Sequence, residues 1–366
     1  MLAPRIELFD WLLHNASKAS YNLAYSNIQG VTMGEYERIT SFPFSDEFDL
    51  GVNAQEGAWE LKEVLYSRYG CASDNIVTTT GASEANFLVF ASLLAKGDEF
   101  IIEQPGYQPM WLTPAMLGAR RISWPRRFHD KFRADIESLE RLFSKKTKLV
   151  VLTNLHNPSG VLTEKHTIQT IARLAKEHNA YVLVDEIFLD GSFVSQPSSF
   201  GLPNVIVTTS TTKIYGLGGL HTGWIVAPHH VIELCQRFKA HSTGASSYTS
   251  ELMTAQILRN AREKLIQRFQ KRSTENLRCL EKWMDEHAEW FEWVKPDGGL
   301  VCFPRYSMDI SSLKLCTYLM DTQKILLNPG SFFNLEGFIR LSYGCDTPLL
   351  QEALQALEKG LEVLQT

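Results

Sequence analysis

The sequence predicts an α/β protein in which helices cover both faces of a mostly parallel sheet, with a smaller α+β domain following it. The main observation is a series of short apolar, β-branched runs that alternate with helical segments through the middle of the chain. Because these runs do not alternate between apolar and polar residues, both faces of the sheet must be buried. The composition agrees, since 44% of the 366 residues are hydrophobic and 21% are charged, as in proteins with a large core.

The predicted elements follow one another in a regular order. Residues 1–50 predict a helix followed by an irregular arm, and apolar residues recur at helical spacing from Gly57 onward. The predicted strands are residues 75–79, 99–102, 149–152, 181–184 and 205–207, and helices are predicted over residues 83–94 and 163–178. Ligands of such sheets bind where the parallel strands end. Residues that follow these strands are therefore the first candidates for a functional site.

The second half of the chain leads away from the sheet. Residues 229–288 contain no proline and predict one or two long helices, residues 338–342 predict a strand, and residues 348–364 predict an amphipathic closing helix. We therefore expect three parts, which are an N-terminal arm with part of the small domain (1–50), a large domain with a long exit helix (51–288), and a small C-terminal α+β domain (289–366).

Charge and cysteine content argue against several classes of protein. The net charge of −5 disfavours binding of nucleic acid. The six cysteines are scattered without metal-ligand spacing, so we predict no metal site and expect reduced thiols. Charged residues interrupt the apolar N-terminus, and no apolar run approaches the roughly 20 residues of a membrane span, so we predict neither a signal peptide nor a membrane segment. A cytoplasmic location is the resulting expectation.

One lysine stands in an unusual setting. Lys213 lies three residues after Ser210, just beyond the run 205–207, and a glycine-rich segment follows it. Glycine allows the backbone to approach an anionic group closely, and a tight cationic pocket lowers the pKa of a lysine until part of its amine is neutral. Because a neutral amine attacks carbonyl groups, Lys213 is the first candidate for a catalytic residue.

Three further polar features follow predicted strands. The turn from Thr80 to Ser83 opens a helix whose N–H groups can bind phosphate, although Ser83 is equally suited to cap that helix. Asn157 lies in a polar turn, which Asn-Pro commonly forms, and its amide can donate to a ring oxygen or a carboxylate. Asp185 ends an apolar strand, where a carboxylate is costly unless it is paired with a cation such as a protonated ring nitrogen.

Together these features resemble the fold-type-I pyridoxal 5'-phosphate (PLP) enzymes, and among them the class I and II aminotransferases similar to aspartate aminotransferase. The resemblance extends from about residue 50 to the end of the chain. It implies a mostly parallel sheet of the seven-stranded type, PLP as cofactor of the large domain, and a homodimer. The implied reaction transfers the α-amino group of an amino acid to a 2-oxo acid through Schiff-base intermediates.

The resemblance also implies a role for individual residues. Lys213 would form the Schiff base with PLP and move the substrate α-proton, and Asp185 would pair with the pyridinium nitrogen. Arg340, within the run 338–342, would hold the substrate α-carboxylate. The remaining implied contacts are Ala82, Ser83 and Ser210 at the phosphate, Tyr107 stacked on the ring, and Asn157 at the ring hydroxyl and near the substrate carboxylate.

Two cofactor-site positions depart from the family pattern. His221, eight residues after Lys213, stands where most relatives have an arginine at the phosphate, and Phe188 replaces a tyrosine that bonds the ring oxygen. The missing hydroxyl should raise the Schiff-base pKa, and histidine supplies less certain charge than arginine. Residues 50–57 also lack the tyrosine that relatives commonly send across a dimer interface. We therefore keep elimination, as in carbon–sulfur lyases, or cyclisation as the alternative to transamination.

The aromatic residues of the N-terminal arm allow two interpretations. They could line a pocket for an apolar or aromatic substrate side chain, or they could pack the small domain and a dimer contact. The residues concerned are Tyr21, Tyr25, Tyr36, Phe42, Phe44 and Phe48.

Overall fold

The computed structural model describes residues 3–42 and 49–365. The chain begins with α1 (Glu7–Asn15), β1 (Tyr21–Asn22) and α2 (Met33–Thr40). The central part contains α3 (Trp59–Tyr69), β2 (Ile76–Thr80), α4 (Gly81–Leu93), β3 (Glu99–Gln104), α5 (Gln108–Met116), β4 (Arg120–Pro125), α6 (Ile136–Glu140), β5 (Thr147–Thr153), α7 (Lys165–Glu177), β6 (Tyr181–Asp185), β7 (Val205–Ser210) and β8 (Thr222–Val226).

Helices and short strands make up the remainder of the chain. Three helices follow the sheet, which are α8 (His229–Ala240), α9 (Tyr248–Asn260) and α10 (Arg262–Glu286). The C-terminal elements are β9 (Phe291–Glu292), β10 (Val301–Cys302), β11 (Arg305–Tyr306), α11 (Ser312–Gln323), β12 (Ile325–Leu326), β13 (Asn328–Pro329), β14 (Ile339–Ser342) and α12 (Thr347–Gln365). Within the described ranges, no helix is both long enough and apolar enough to cross a membrane.

The central sheet has seven strands in the order β2-β8-β7-β6-β5-β3-β4. The strands from β7 to β4 pair in parallel, whereas β8 is antiparallel to both β2 and β7. The predicted mostly parallel sheet is therefore confirmed. The sequence analysis missed β4 and β8, because β4 is a partly exposed edge strand that carries arginines and β8 follows directly on the glycine-rich segment.

Alternate residues of the strands pack into two separate apolar clusters, one on each face of the sheet. On β5, for example, Val150 and Leu152 belong to one cluster and Leu149 and Val151 to the other. Helices α3, α7 and α9 cover the first face, whereas α4 and α8 cover the second. Burial on both faces explains why the strand runs are apolar along their whole length.

Three helices rather than one or two occupy the region 229–288. A stretch of small residues breaks the helical path after α8, where Gly244 adopts a positive φ of 65° that favours glycine. A second break falls at Ala261, between α9 and α10. The absence of proline was therefore a poor guide to the continuity of these helices.

The long helix α10 connects two hydrophobic cores. Its first half contributes Leu265 and Phe269 to the core of the sheet, and its second half contributes Leu280 and Trp283 to a C-terminal core. The N-terminal arm returns to that C-terminal core, because β1 pairs in parallel with β12. Both chain ends thus pack on the same small unit.

Candidate active site

The edge of the sheet collects residues from strands that are far apart in sequence. The parallel strands and β2 end at this edge, so the residues just after β2, β3, β5, β6 and β7 meet there. β8 runs in the opposite direction and therefore begins at the same edge, with Thr222 paired to Thr80 and Gly223 to Ser210. The reversal of β8 brings His221, directly before it, to the same place.

A cavity of about 580 Å³ lies at this edge of the sheet. Of the sequence-predicted site residues, Ala82, Ser83, Tyr107, Asn157, Asp185, Phe188, Lys213, His221 and Arg340 all line it. Ser210 does not line this cavity. Ser210 is buried, and its hydroxyl lies 2.8 Å from the hydroxyl of Thr212, a residue that does line the cavity.

Lys213 is half-buried at the wall of this cavity. Burial of its amine and, to a smaller extent, the positive charge of Arg340 lower the pKa of Lys213 to about 8, although Asp185 acts in the opposite direction. A minor part of the amine is therefore neutral near neutral pH. A neutral amine can act as a nucleophile or as a base.

Asp185 is almost completely buried at the end of β6. Burial raises the pKa of Asp185 to about 6, even though hydrogen bonds and Lys213 oppose the shift. The Asn86 side-chain amide donates to Oδ2 at 3.0 Å, and the backbone N–H of Ile187 donates to Oδ1 at 3.1 Å. Asn86 is oriented in turn by Thr208, whose hydroxyl donates to the Asn86 amide oxygen at 2.6 Å.

The sequence analysis missed Asn86. The available signal was an amide among the otherwise non-polar buried residues of helix α4, but its partner Asp185 lies 99 positions away in sequence. A buried side-chain amide requires a partner, and only the fold identifies which one.

Arg340 lies on β14 and is nearly fully buried. It donates to the Asn157 amide oxygen and to the Ala24 carbonyl, each at 2.9 Å, and its guanidinium lies 4.8 Å from the centre of the Phe333 ring. Its Nε is buried and has no hydrogen-bond partner among the described residues. Burial lowers the pKa of Arg340 to about 10. A buried guanidinium with an unused N–H is well suited to bind a carboxylate.

The first turn of α4 forms another part of the cavity wall. Gly81, Ala82 and Ser83 place the helix N-terminus at the cavity wall, where backbone N–H groups can bind an anion. A Cβ atom added to Gly81 would lie 2.7 Å from Cε1 of His221, so the imidazole packs directly against this turn. Thus His221 adjoins the first turn of α4, whose N–H groups can bind an anion.

Tyr107 and Phe188 supply aromatic walls. Tyr107 follows β3, and its ring meets that of Phe9 edge to face at 6.4 Å. Burial raises the pKa of Tyr107, so its hydroxyl stays protonated. Phe188 is buried, and it provides a ring but no hydroxyl at the cavity.

A buried polar network supports the loops that carry Tyr107 and Asn157. Glu103 accepts hydrogen bonds from the Thr153 backbone N–H at 2.7 Å and from Arg126 Nη2 at 2.9 Å. His156 Nε2 donates to the Pro105 carbonyl at 2.8 Å, which joins the two loops. The sequence analysis did not identify this network.

Helix α1 forms a further wall, which the sequence analysis also missed. Leu8, Phe9, Leu12 and Leu13 line the cavity from this helix. Of the aromatic residues in the N-terminal arm, Tyr25 lines the cavity, whereas Tyr21 packs on the C-terminal core and Tyr36 lies in the core of the sheet. Phe42 is half-buried, and Phe44 and Phe48 lie outside the described residues.

The donor set of the cavity fits PLP. The amine of Lys213 suits an aldehyde, the Asp185 carboxylate suits a protonated ring nitrogen, and the α4 N-terminus suits a phosphate. Arg340 with its unused N–H remains for a substrate carboxylate. The sheet, the strand-end cavity and this set of groups define the class of fold-type-I PLP enzymes.

Comparison with known proteins places the chain within that class. Residues 51–357 match the aminotransferase class I and II family, and the chain belongs to this family. It is accordingly a PLP-dependent aminotransferase that transfers the α-amino group of an amino acid to a 2-oxo acid.

The similar proteins include aminotransferases and one protein named as a synthase. Aspartate aminotransferase of Pyrococcus horikoshii is 28% identical over 84% of this chain and 82% of its own length. Capreomycidine synthase of Streptomyces vinaceus is 27% identical over 98% of this chain and 94% of its own. The crystal structure of a PLP-dependent aminotransferase from Streptococcus suis has 26% sequence identity and a TM-score of 0.94, with 99% of each chain covered.

Proposed function

We propose that Lys213 is the catalytic residue of this aminotransferase and that it also attaches the cofactor aldehyde. The observation that carries the proposal is the amine with a pKa of about 8, which lines one cavity together with Asp185 and Arg340. When bound, PLP supplies an electron-withdrawing ring that makes the α-hydrogen of the substrate acidic. The neutral Nζ of Lys213 accepts this α-proton and later releases it.

The proposed role of Asp185 is to keep the ring nitrogen of the cofactor protonated. The Asn86 amide and the Ile187 backbone N–H donate to its carboxylate, and these hydrogen bonds hold it at the cavity wall. An ion pair in this buried setting favours the charged forms of both partners. Without it, the ring would withdraw electrons less strongly.

The other predicted residues hold and orient the two ligands. Ala82 and Ser83 would bind the phosphate at the α4 N-terminus with His221 beside them, and Ser210 would act through Thr212. The walls of the ring site would be Tyr107 and Phe188. Arg340 would bind the substrate α-carboxylate, and Asn157, which accepts a hydrogen bond from Arg340, would orient it.

The roles of Lys213 are tested with the purified holoenzyme. Borohydride reduction should eliminate its visible absorption and leave the cofactor on the peptide that contains Lys213. Lys213→Ala should lower kcat by about 10⁴-fold, whereas the control Lys146→Ala changes an exposed lysine and should retain activity. Attachment of the reduced cofactor to another lysine would refute the assignment.

Incubation of the same holoenzyme with an amino acid alone distinguishes transamination from the alternative reactions. With an amino acid alone, transamination stops after one equivalent of oxo acid per site, because the amino group remains on the cofactor. Continued release of ammonia would instead identify elimination, and a cyclic amino-acid product would identify cyclisation. Phe188, which offers no hydroxyl to the cofactor, is the observation that makes this control worthwhile.

We also infer a homodimer. Support comes from apolar side chains that stay exposed in the single chain, among them Met33, Leu50 and Trp59. Light scattering coupled to gel filtration should give twice the mass of the chain. Trp59→Glu on α3 should shift the protein toward monomer. The control Leu313→Glu, at an exposed leucine of α11, should not. A wild-type protein that is monomeric would overturn the inference.

We further propose a cytoplasmic location and three structural parts. All six cysteines are free, which is typical of proteins from a reducing compartment. The division into a large and a small domain is supported by the two cores that α10 connects. Cell fractionation tests the location, and limited proteolysis, with cleavage expected near the two boundaries, tests the division.

A further inference from the structure

Helix α1 is fixed over the active-site cavity from two sides. Its Leu8 backbone N–H donates to the Gln108 side-chain oxygen at 3.0 Å, which ties it to α5 next to Tyr107. On the other side, Trp11 Nε1 donates to the Leu327 carbonyl at 2.8 Å in the C-terminal unit. The apolar side chains of α1 that line the cavity therefore form a positioned wall.

The cations of the cavity already have other proposed roles. Among the described residues that line it, the cationic types are Lys213, His221 and Arg340. Lys213 is the proposed catalytic amine, Arg340 the proposed α-carboxylate site, and His221 packs on the anion-binding turn of α4. Among the described residues of one subunit, these roles leave no cation in the cavity to neutralise a second carboxylate on the substrate.

A neighbouring cavity lacks charged residues in its described lining. It has a volume of about 320 Å³ and shares Asn27, Thr212 and Gly218 with the active-site cavity. Its described lining residues include Ile28, Val31 and Met253 and contain no charged side chain. A substrate side chain that extends beyond the first cavity therefore meets apolar and neutral polar groups.

We propose that this aminotransferase takes an amino donor with a large, uncharged apolar side chain, such as leucine, methionine or phenylalanine, and selects it through α1. A side-chain carboxylate placed against the leucines of α1 would lose water without gaining a cation, which is costly. An apolar side chain gains from the same burial. The inference rests on the proposed function, because it assigns Arg340 to the α-carboxylate, and it separates this chain from relatives named aspartate aminotransferase.

The first test measures the half-reaction of the holoenzyme with each donor alone, so that no acceptor enters the comparison. The second-order rate constant for loss of the visible absorption should be at least about tenfold higher for leucine, methionine or phenylalanine than for aspartate. An equal or faster reaction with aspartate overturns the specificity but leaves the aminotransferase function intact. A holoenzyme that reacts neither with these donors nor with glutamate overturns the proposed function itself.

A binding measurement gives a readout that does not depend on turnover. Two carboxylates without an amino group serve as probes of the holoenzyme, 3-phenylpropionate for the apolar class and succinate for the dicarboxylate class. The dissociation constant for 3-phenylpropionate should be at least about tenfold lower. Equal affinities, or tighter binding of succinate, contradict the proposal.

Variants of α1 test whether this helix makes the selection. Phe9→Arg and Leu12→Arg each add a cation to the cavity wall, and both should raise the aspartate-to-phenylalanine ratio of half-reaction rates by about tenfold or more. Phe9 is partly exposed, so its replacement keeps the test valid if the half-buried Leu12 does not tolerate a charge.

The matched control is His14→Arg, which adds a cation to the same helix at an exposed position that does not line the cavity. It should leave the ratio of donor rates unchanged. A change as large as that of Phe9→Arg, or no change in either cavity variant, would show that α1 does not select the donor.

Discussion

Arg126 and Arg340 are both almost completely buried, yet their surroundings differ. Arg126 Nε and Nη2 donate to the Glu103 carboxylate, Nη2 also to the Thr163 hydroxyl, and Nη1 to the Phe132 carbonyl. Arg340 reaches an amide oxygen and a carbonyl, and the described residues leave its Nε without a partner.

The comparison distinguishes a structural charge from a functional one. A buried guanidinium costs several kcal/mol of desolvation, about the amount that a well-placed carboxylate restores. Arg126 obtains this carboxylate from Glu103, whereas Arg340 is held beside the cavity by neutral oxygens. This difference is what the proposed role of Arg340 in binding the substrate carboxylate requires, and four predictions test the contrast.

The largest effect is expected on folding, from Arg126→Met. This change leaves Glu103 buried without its cation and should lower the free energy of unfolding by about 3–5 kcal/mol. Urea denaturation measures this change. A loss below about 1 kcal/mol would mean that Arg126 contributes no more to the free energy of unfolding than is expected of Arg340.

Arg340→Met should show the opposite pattern. The loss of the carboxylate clamp should reduce kcat/KM by roughly 10²–10³-fold. The free energy of unfolding should change by no more than about 1 kcal/mol, because relief of an uncompensated buried cation offsets the lost hydrogen bonds to Asn157 and Ala24. Steady-state kinetics and urea denaturation on the same preparation check both statements, and a mainly structural loss would break the contrast.

A third, smaller effect tests why Arg126 matters. In the Arg126→Met background, Glu103→Gln removes the unpaired acid but keeps an oxygen for the Thr153 N–H. This second change should regain about 1–2 kcal/mol of the free energy of unfolding. A further loss would mean that Glu103 acts mainly through Thr153.

The smallest effect concerns the pH dependence of Lys213. Its neutral fraction rises as pH increases through the pKa of about 8, so the rate at which the apoenzyme captures PLP should have its midpoint near that pH and level off above it. Because the Arg340 charge lowers this pKa, Arg340→Met should move the midpoint upward and Arg126→Met should not. Stopped-flow absorbance measures the midpoint of each variant. Identical midpoints for the wild type and Arg340→Met would show that the Arg340 charge does not act on the pKa of Lys213.

Much of the site could be predicted because its signals are local. Lys213, Asp185 and Asn157 each stand just after an apolar strand run, and strand ends collect ligands whatever the rest of the chain does. Arg340 was visible for a similar reason, since a guanidinium inside an apolar strand must have a partner. The parallel sheet itself follows from runs that are apolar on both faces.

Other features depend on contacts between distant segments. Asn86 became a site residue only when the fold brought it to Asp185, and the same holds for the α1 leucines at the cavity. The direction of β8, which brings His221 to the first turn of α4, depends on pairing with β2 and β7.

The sequence by itself thus determined the class of fold and the polar groups at the strand ends, since hydrophobic periodicity and strand-end polarity are properties of short segments. The cofactor followed from the resemblance of these motifs to a known family. Only the tertiary structure decided which buried charges are compensated and which side chains face the substrate. Burial and pairing are relations between segments far apart in the chain, and no local pattern records them.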